Sequence, residues 1–250
     1  MTEVTPQDGI AIVTGAGSGL GRALAVALCQ RGFTVAGLGR RLDGLQGTAE
    51  AAGPKFRAHA VDVADAQAVA ALFASLGPIA LLINNAAVYP HRDFLDETPD
   101  SFAWTMAINL GGVVNCTHAA LQDMAPRGTG RILNVATFAD LHPLPASSAY
   151  SVSKGAARIL TRAVIADIAD RWPGIVVSDW MPGMLATSMG IPDGTPPDVS
   201  AEWGVKLALM RDPSLTGTTF EMNREILPLR GLKGKLKDAF LLRSRKPRLL

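Results

Sequence analysis

The sequence predicts a single α/β domain built on a doubly wound parallel sheet of about seven strands. Strand-sized apolar runs alternate with helical patterns along most of the 250 residues, the order that produces a parallel sheet covered on both faces. Several of the runs are apolar throughout, Ile79-Ala80-Leu81-Leu82-Ile83 above all, as expected of strands buried on two sides. One domain of this length buries enough surface to need neither disulfides nor a structural metal.

Residues 10–14 form a β-branched run that ends in glycines, the first predicted strand. Leu20, Leu24 and Leu28 then recur at i, i+4 and i+8, which places a helix over 20–31 with Gly32 as its stop. A second strand is predicted over 33–38, a helix over 42–52 closed by Gly53-Pro54, and a short strand over 56–61. A helix over 66–76 leads into the fourth strand, 79–84. Residues 100–125 read as helical, with an interruption near Gly111-Gly112. The fifth strand is 131–135, a long helix 149–172 and the sixth strand 175–180. One more helix around 202–210 precedes a weaker strand at 218–222. The one Pro/Gly-rich stretch, within 182–197, falls where a lid belongs. The predicted layout is a catalytic domain over 1–229, with a lid at about 184–203, and a tail over 230–250.

Composition narrows the function classes. Hydrophobic residues make up 48% and charged residues 18%, a globular balance that excludes a mainly disordered chain or a coiled coil. No apolar run approaches the roughly 18 residues of a membrane helix. Residues 1–9 show neither a basic nor an apolar leader region, so the expectation is a cytoplasmic protein. Cys29 and Cys116 make no disulfide framework and lack metal-ligand spacing, so no metal is expected. Charge is uneven. The net is +2, but from Arg230 onward eight Lys/Arg face one acid, Asp238, so the tail carries +7 and the rest −5. A solvated terminus is the plain reading of that tail, and steering of an anionic substrate the functional one. Nucleic acid is not an expected partner.

The first strand runs into Thr14-Gly15-Ala16-Gly17-Ser18-Gly19-Leu20-Gly21 and then directly into a helix. Glycines there allow a tight turn and close approach to a pyrophosphate, which the helix N-terminus stabilises. The spacing is T-G-x-x-x-G-x-G. At the end of the second strand, an acid about 20 residues beyond the glycines would hydrogen-bond the ribose of NAD. Gly37-Leu38-Gly39-Arg40-Arg41 stands there instead, with no carboxylate before Asp43. Glycine leaves room for a 2′-phosphate, and Arg40 and Arg41 offer it paired, charge-assisted hydrogen bonds. NADP(H) is the favoured cofactor, with NAD(H) still open.

Tyr150-Ser151-Val152-Ser153-Lys154 opens the long helix, and the i, i+4 spacing puts phenol and amine on one face. A phenol titrating near 10 is a poor acid at neutral pH, and a neighbouring ammonium draws it toward the working range. Taken together with TGAGSGLG at 14–21, Asp62-Val63, NNAA at 84–87, Asn109, the ILNVAT strand and Pro182-Gly183, the chain resembles the short-chain dehydrogenase/reductase family over residues 9–222.

The resemblance implies a Rossmann-type fold and assigns roles position by position. Gly15, Gly19 and Gly21 shape the pyrophosphate turn, with Ser18 and Leu20 beside it. Asp62 and Val63 meet the adenine, and Asn84 and Ala86 the adenosine ribose side. Tyr150 is the general acid/base; Lys154 lowers its pKa and holds the nicotinamide ribose. Asn109 anchors a water that connects Lys154 to solvent. Pro182 and Gly183 line the nicotinamide, and Thr187 hydrogen-bonds its carboxamide. The activity implied is interconversion of a carbonyl and an alcohol by hydride transfer, in a homodimer or homotetramer.

Two positions depart from the family pattern. Thr137 stands where the catalytic serine is usual; it keeps the hydroxyl, and its methyl narrows the site and restricts rotamers. Ala87 ends NNAA where NNAG is usual, which adds strain if that backbone needs positive φ. Substrate-facing segments are expected at 88–92, 138–144 and 184–191, mostly apolar, favouring a small carbonyl or alcohol of apolar character. His91 and Arg92 could bind a carboxylate, although an exposed loop pair more often has no specific task; His142 reads as a bystander, and Met184 and Met189 as lid packing, with adaptable contact to a ligand as the alternative. Enoyl reduction is disfavoured by the narrow Tyr–Lys spacing. The alternative of another class is a catalytically silent cofactor-binding protein acting through partners.

Overall fold

The computed structural model describes residues 3–227 and 246–250. Its sheet has the strand order β3-β2-β1-β4-β5-β6-β7-β8. The strands are β1 (Ile10–Thr14), β2 (Val35–Gly39), β3 (Phe56–Ala60), β4 (Ile79–Asn84), β5 (Gly130–Val135), β6 (Ile175–Met181), β7 (Thr219–Glu221) and β8 (Arg224–Ile226). Each neighbouring pair from β3 to β7 is parallel, and β8 returns antiparallel to β7. The eighth strand goes beyond the seven predicted. It is three residues long, reached through Met222 at φ +50°, too short to leave a period-2 signal.

The helices are α1 (Gly19–Gln30), α2 (Leu42–Ala52), α3 (Ala66–Ser75), α4 (Pro99–Met106), α5 (Gly112–Arg127), α6 (Ser148–Ile168) and α7 (Pro197–Leu209). Strand side chains alternate between two cores. Val13, Leu81 and Ile83 point into a layer with Leu24 and Leu28 of α1 and Val205 of α7. Ile12 and Leu82 point into the opposite layer with Val69, Phe73, Cys116 and Ile168. Burial raises the Cys116 thiol to about 12, so it behaves as a small apolar group.

Two differences from the predicted elements have physical causes. The expected interruption between α4 and α5 is a π-helical segment, Ala107–Gly111, that keeps the chain helical through both glycines. Helix α7 starts at Pro197, with proline at its first position, not at 202; the last third of the expected lid is therefore helix. The C-terminus of α7 is held by Arg131 of β5, which is fully buried. Its guanidinium donates to Leu207 O (3.3 Å) and Met210 O (3.1 Å), and to Ser178 Oγ (2.7 Å) of β6. Desolvation pulls Arg131 down to about 9; the helix-end carbonyls compensate a cation there.

The expected basic tail lies largely outside the described residues. At its far end Arg248 pairs with Glu225 at 2.8 Å, and Leu250 N donates to Asn223 O at 2.9 Å. No described helix is long and apolar enough to cross a membrane.

Candidate functional site

A cleft of about 780 Å³ opens along the C-terminal ends of the strands, where the loops after β1, β2, β4, β5 and β6 meet. Its floor is the glycine turn. Gly15 (φ +68°) and Gly19 (φ +49°) take left-handed backbone. At Gly21 an added Cβ would fall 2.1 Å from Gly15 O, so only glycine lets α1 begin this close to β1. Two residues brace the turn that sequence reasoning missed. Arg22 donates to Gly17 O (2.7 Å) and Gly44 O (3.2 Å), stapling the turn to α2. Asn85 donates from Nδ2 to Thr14 O at 2.9 Å, while Thr14 Oγ1 accepts from the amides of Asn85 and Ala86.

Gly15, Ser18, Gly19, Leu20 and Gly21 all line the cleft, and so do Arg40, Arg41, Asp62, Val63 and Ala86. Arg40 is exposed and makes no side-chain hydrogen bond or ion pair among the described residues, while Arg41 lies a loose 3.7 Å from Asp43. Asp62 turns its own loop by accepting from Ala64 N at 2.9 Å. Asn84 is a correction to the sequence reading: it is buried and does not line the cleft. Its Nδ2 donates to Asn134 Oδ1 (2.8 Å) and Thr117 Oγ1 (3.0 Å), joining β4, β5 and α5. The second asparagine of the pair, Asn85, lines the cleft instead. Ala87 carries no positive φ, so the strain considered for it does not arise.

Tyr150 and Lys154 both reach the cleft from the first turns of α6. Tyr150 is hydrogen-bonded to the Thr137 side chain, which also accepts from Ala139 N at 3.2 Å. Lys154 is buried, and its Nζ donates to Val135 O at 2.9 Å. Burial holds Lys154 down to about 8, opposed by the charges of Asp179 and Asp140. Burial likewise raises Tyr150, with the Thr137 bond acting in the other direction. Asn109 lies behind this pair in the π-helical segment and does not line the cleft. Its Oδ1 accepts from Val88 N (2.8 Å) and its Nδ2 donates to Val88 O (2.9 Å) and Ser153 Oγ (3.0 Å). The asparagine thus fixes the loop after β4 to the turn of α6 that carries Lys154.

The other end of the cleft is apolar. Phe138, Leu144, Met184, Leu185, Met189 and Ile191 line it. Tyr89 stacks on Tyr150 with centroids 4.4 Å apart and planes at 16°, and His91 stacks on the other side of Tyr89 at 3.7 Å. Arg92 pairs at 2.9 Å with Glu97, whose side chain is largely covered, pinning this loop, a structural task that its sequence did not announce. His142 does not line the cleft. The loop from Met184 to Pro196 closes on itself through Thr195 N to Met184 O (2.8 Å) and Ala186 N to Thr195 O (3.0 Å). Pro182 and Gly183, immediately before it, and Thr187 within it lie along the cleft wall; an added Cβ on Gly19 would stand 3.2 Å from the Thr187 methyl. No cluster of metal-ligating side chains occurs among the described residues.

A parallel sheet wound on both sides, with a glycine cradle at the strand ends, defines an α/β protein of the dinucleotide-binding class. Comparison with known proteins agrees. The family profile described as short chain dehydrogenase matches residues 9–196. The chain is 38% identical over 191 residues to 2-(R)-hydroxypropyl-CoM dehydrogenase of Xanthobacter autotrophicus, covering 72% of this chain and 76% of that one. It is 34% identical over 181 residues to L-xylulose reductase of Mesocricetus auratus, covering 72% and 73%. A solved short chain dehydrogenase/reductase family protein superposes with a TM-score of 0.80 at 28% identity, covering 87% of this chain and 97% of that one. The chain belongs to the short-chain dehydrogenase/reductase family, whose members are NAD(P)-dependent oxidoreductases.

Proposed function

We propose that the protein is an NADP(H)-dependent reductase or dehydrogenase that interconverts a small, largely apolar carbonyl compound and its alcohol, with Tyr150 as general acid/base. The observation that carries this reading is the convergence of Tyr150, Thr137 and Lys154 at one wall of a glycine-floored cleft.

The cradle fits the coenzyme: Gly15, Gly19 and Gly21 leave backbone where side chains would intrude, and the unpaired Arg40 stands at the end of β2, where a 2′-phosphate would lie. Asp62, Val63 and Ala86 would hold the adenosine end, and Pro182, Gly183, Thr187 and Lys154 the nicotinamide end. When bound, the coenzyme supplies or accepts hydride. The chain's own part is orientation and proton transfer. Thr137 and Tyr150 share a hydrogen bond, so a substrate oxygen placed between them accepts from both hydroxyls. Tyr150 gives its proton to that oxygen in reduction and takes it back in oxidation. The Lys154 ammonium, fixed on Val135 O, favours the phenolate. Asn109, held in the π-helical segment beside the Lys154 turn, would anchor the water that connects Lys154 with solvent. Around the reacting carbon, Tyr89, Phe138, Leu144 and Met184 exclude water and favour apolar substituents. A homodimer or homotetramer, in the cytoplasm, remains the expected state.

The test is absorbance at the reduced-nicotinamide band across a panel of carbonyls and alcohols, with NADPH and NADH in parallel. Turnover that prefers NADPH and falls by about 100-fold or more in Tyr150→Phe, with coenzyme still bound, is expected. Full turnover by that variant would overturn the assignment of Tyr150, and coenzyme binding by the native protein with no turnover across the panel would leave a cofactor-binding protein without catalysis.

A further inference from the structure

A buried carboxylate lies under the catalytic helix and has no part in the mechanism above. Asp179 of β6 is 5% exposed and makes no ion pair among the described residues. Its Oδ1 accepts from Thr161 Oγ1 at 2.7 Å, and Asn134 Nδ2 donates to the same hydroxyl at 2.9 Å. Thr161 is seven residues beyond Lys154 on α6, two turns along one buried face. The strand register brings the other side of the argument. Asp179 is paired with Asn134, the residue before Val135, whose carbonyl accepts from Lys154 Nζ at 2.9 Å. Carboxylate and ammonium therefore occupy the same layer between α6 and the β5–β6 pair, one register step apart.

We propose that Asp179 is a positioning residue for Lys154: a fixed countercharge, held by Thr161, that keeps the lysine side chain an ammonium on the Val135 carbonyl. The proposal rests on the preceding reading of Lys154 as the group that serves coenzyme and Tyr150. Two carboxylates act on Lys154, Asp179 and Asp140; Asp179 is the one without an ion pair among the described residues, although the charges of Arg158 and Arg162 also reach it. The turn after β5 contributes Asp140, whose carboxylate is already neutralised by Arg158 of α6 at 2.9 Å. The π-helical segment contributes the neutral Asn109, and β5 only its peptide carbonyl and Asn134. Helix α6 itself adds Tyr150, Arg158 and Arg162, and the loop after β4 adds Tyr89 and His91 beyond Tyr150. The titrations point the same way: the charge of Asp179 raises Lys154 against the burial that lowers it to about 8. Asp179, pushed up by its own burial to about 6, is ionised throughout the range in which Lys154 loses its proton. Removing the negative charge therefore shifts loss of the ammonium to lower pH.

The experiment measures NADPH affinity by nicotinamide fluorescence from about pH 6.5 to 10, in the full-length protein and in Asp179→Asn, with kcat/KM for a reducible carbonyl in parallel. The amide keeps an acceptor for Thr161. Expected are a break in affinity that moves about one pH unit downward in the variant, an unchanged low-pH plateau, and an alkaline limb of kcat/KM that moves with it. A break at the same pH in both proteins overturns the proposal, as does a uniform loss at every pH. If the native protein binds NADPH but reduces no carbonyl, the proposed function fails while the affinity profile still decides the role of Asp179. Should the amide variant not fold, Asp179→Ser repeats the test; failure of both to fold assigns Asp179 to the fold and overturns the proposal.

Discussion

The two ends of the cleft are built on different principles. At the coenzyme end the shape is made by backbone, and side chains are mostly kept out: Gly21 packs on Gly15 O with no room for a methyl. At the substrate end the shape is made by side chains on loops, with Tyr89 stacked between His91 and Tyr150 and an apolar rim of Phe138, Leu144 and Met189. Backbone-made sites tolerate almost no change at a few positions, whereas side-chain-made sites change gradually with each residue. Binding of a common coenzyme and choice of an individual substrate are thereby separated along one cleft.

That contrast is sharpest at the glycines. Gly21→Ala must displace the turn by more than an ångström, and a loss of NADPH affinity of about 100-fold or more is expected by calorimetry, equivalent to about 3 kcal/mol. Gly17→Ala meets nothing closer than 3.4 Å and should change affinity by no more than about threefold. Equal losses in the two variants would erase the distinction.

Below the catalytic wall, buried polarity should cost stability in a defined direction. The folded-state pKa of Asp179 is raised from 3.8 to about 6. Its contribution is fully present below the unfolded value and is lost as pH rises through about 6. Over roughly pH 4 to 6 the native protein should lose on the order of 2 kcal/mol from this group. Urea unfolding at each pH should show a flatter profile for Asp179→Asn, and parallel profiles would refute the linkage.

Smaller effects discriminate between the ends directly. Arg40→Ala should weaken NADPH by about 10-fold, or 1.4 kcal/mol, and leave NADH unchanged; comparable loss for both coenzymes would remove Arg40 from 2′-phosphate recognition. Tyr89→Ala gives up a ring stack worth about 0.5–1.5 kcal/mol. It should raise KM for an apolar carbonyl by about 2- to 10-fold while NADPH binding stays constant. A change in NADPH affinity instead would mean that the loop after β4 belongs to the coenzyme end.

The same division governs how much was legible in the sequence. Strands buried on two faces leave continuous apolar runs, so β1, β4 and β6 stand where the pattern put them. The glycine turn was legible because close backbone approach permits one residue type. The Tyr150–Lys154 pair was legible because i, i+4 is a fixed helical geometry. Asn84 was misplaced because adjacent strand residues face opposite sides of the sheet: one asparagine enters the core and the next turns to the cleft, and Asn84-Asn85 written together does not say which. Arg22 and Asp179 were missed because their partners Gly44 and Thr161 lie in other segments of the chain, where only the folded structure brings them together; Glu97 was missed because Arg92, five residues before it, sits in an irregular loop whose spacing fixes no geometry.

The π-helical segment at Ala107–Gly111 has a consequence for how the chain tolerates change in length. A π turn holds an additional residue within a helix, and it absorbs that residue locally. Deleting one residue there would let α4 and α5 fuse into an unbroken α-helix with Cys116, Ala120 and Met124 still facing the core they now fill. What would be lost is the widened turn that carries Asn109 to Val88. The same deletion a turn or two further on, in regular α-helix, would instead rotate everything after it by about 100° and empty that core.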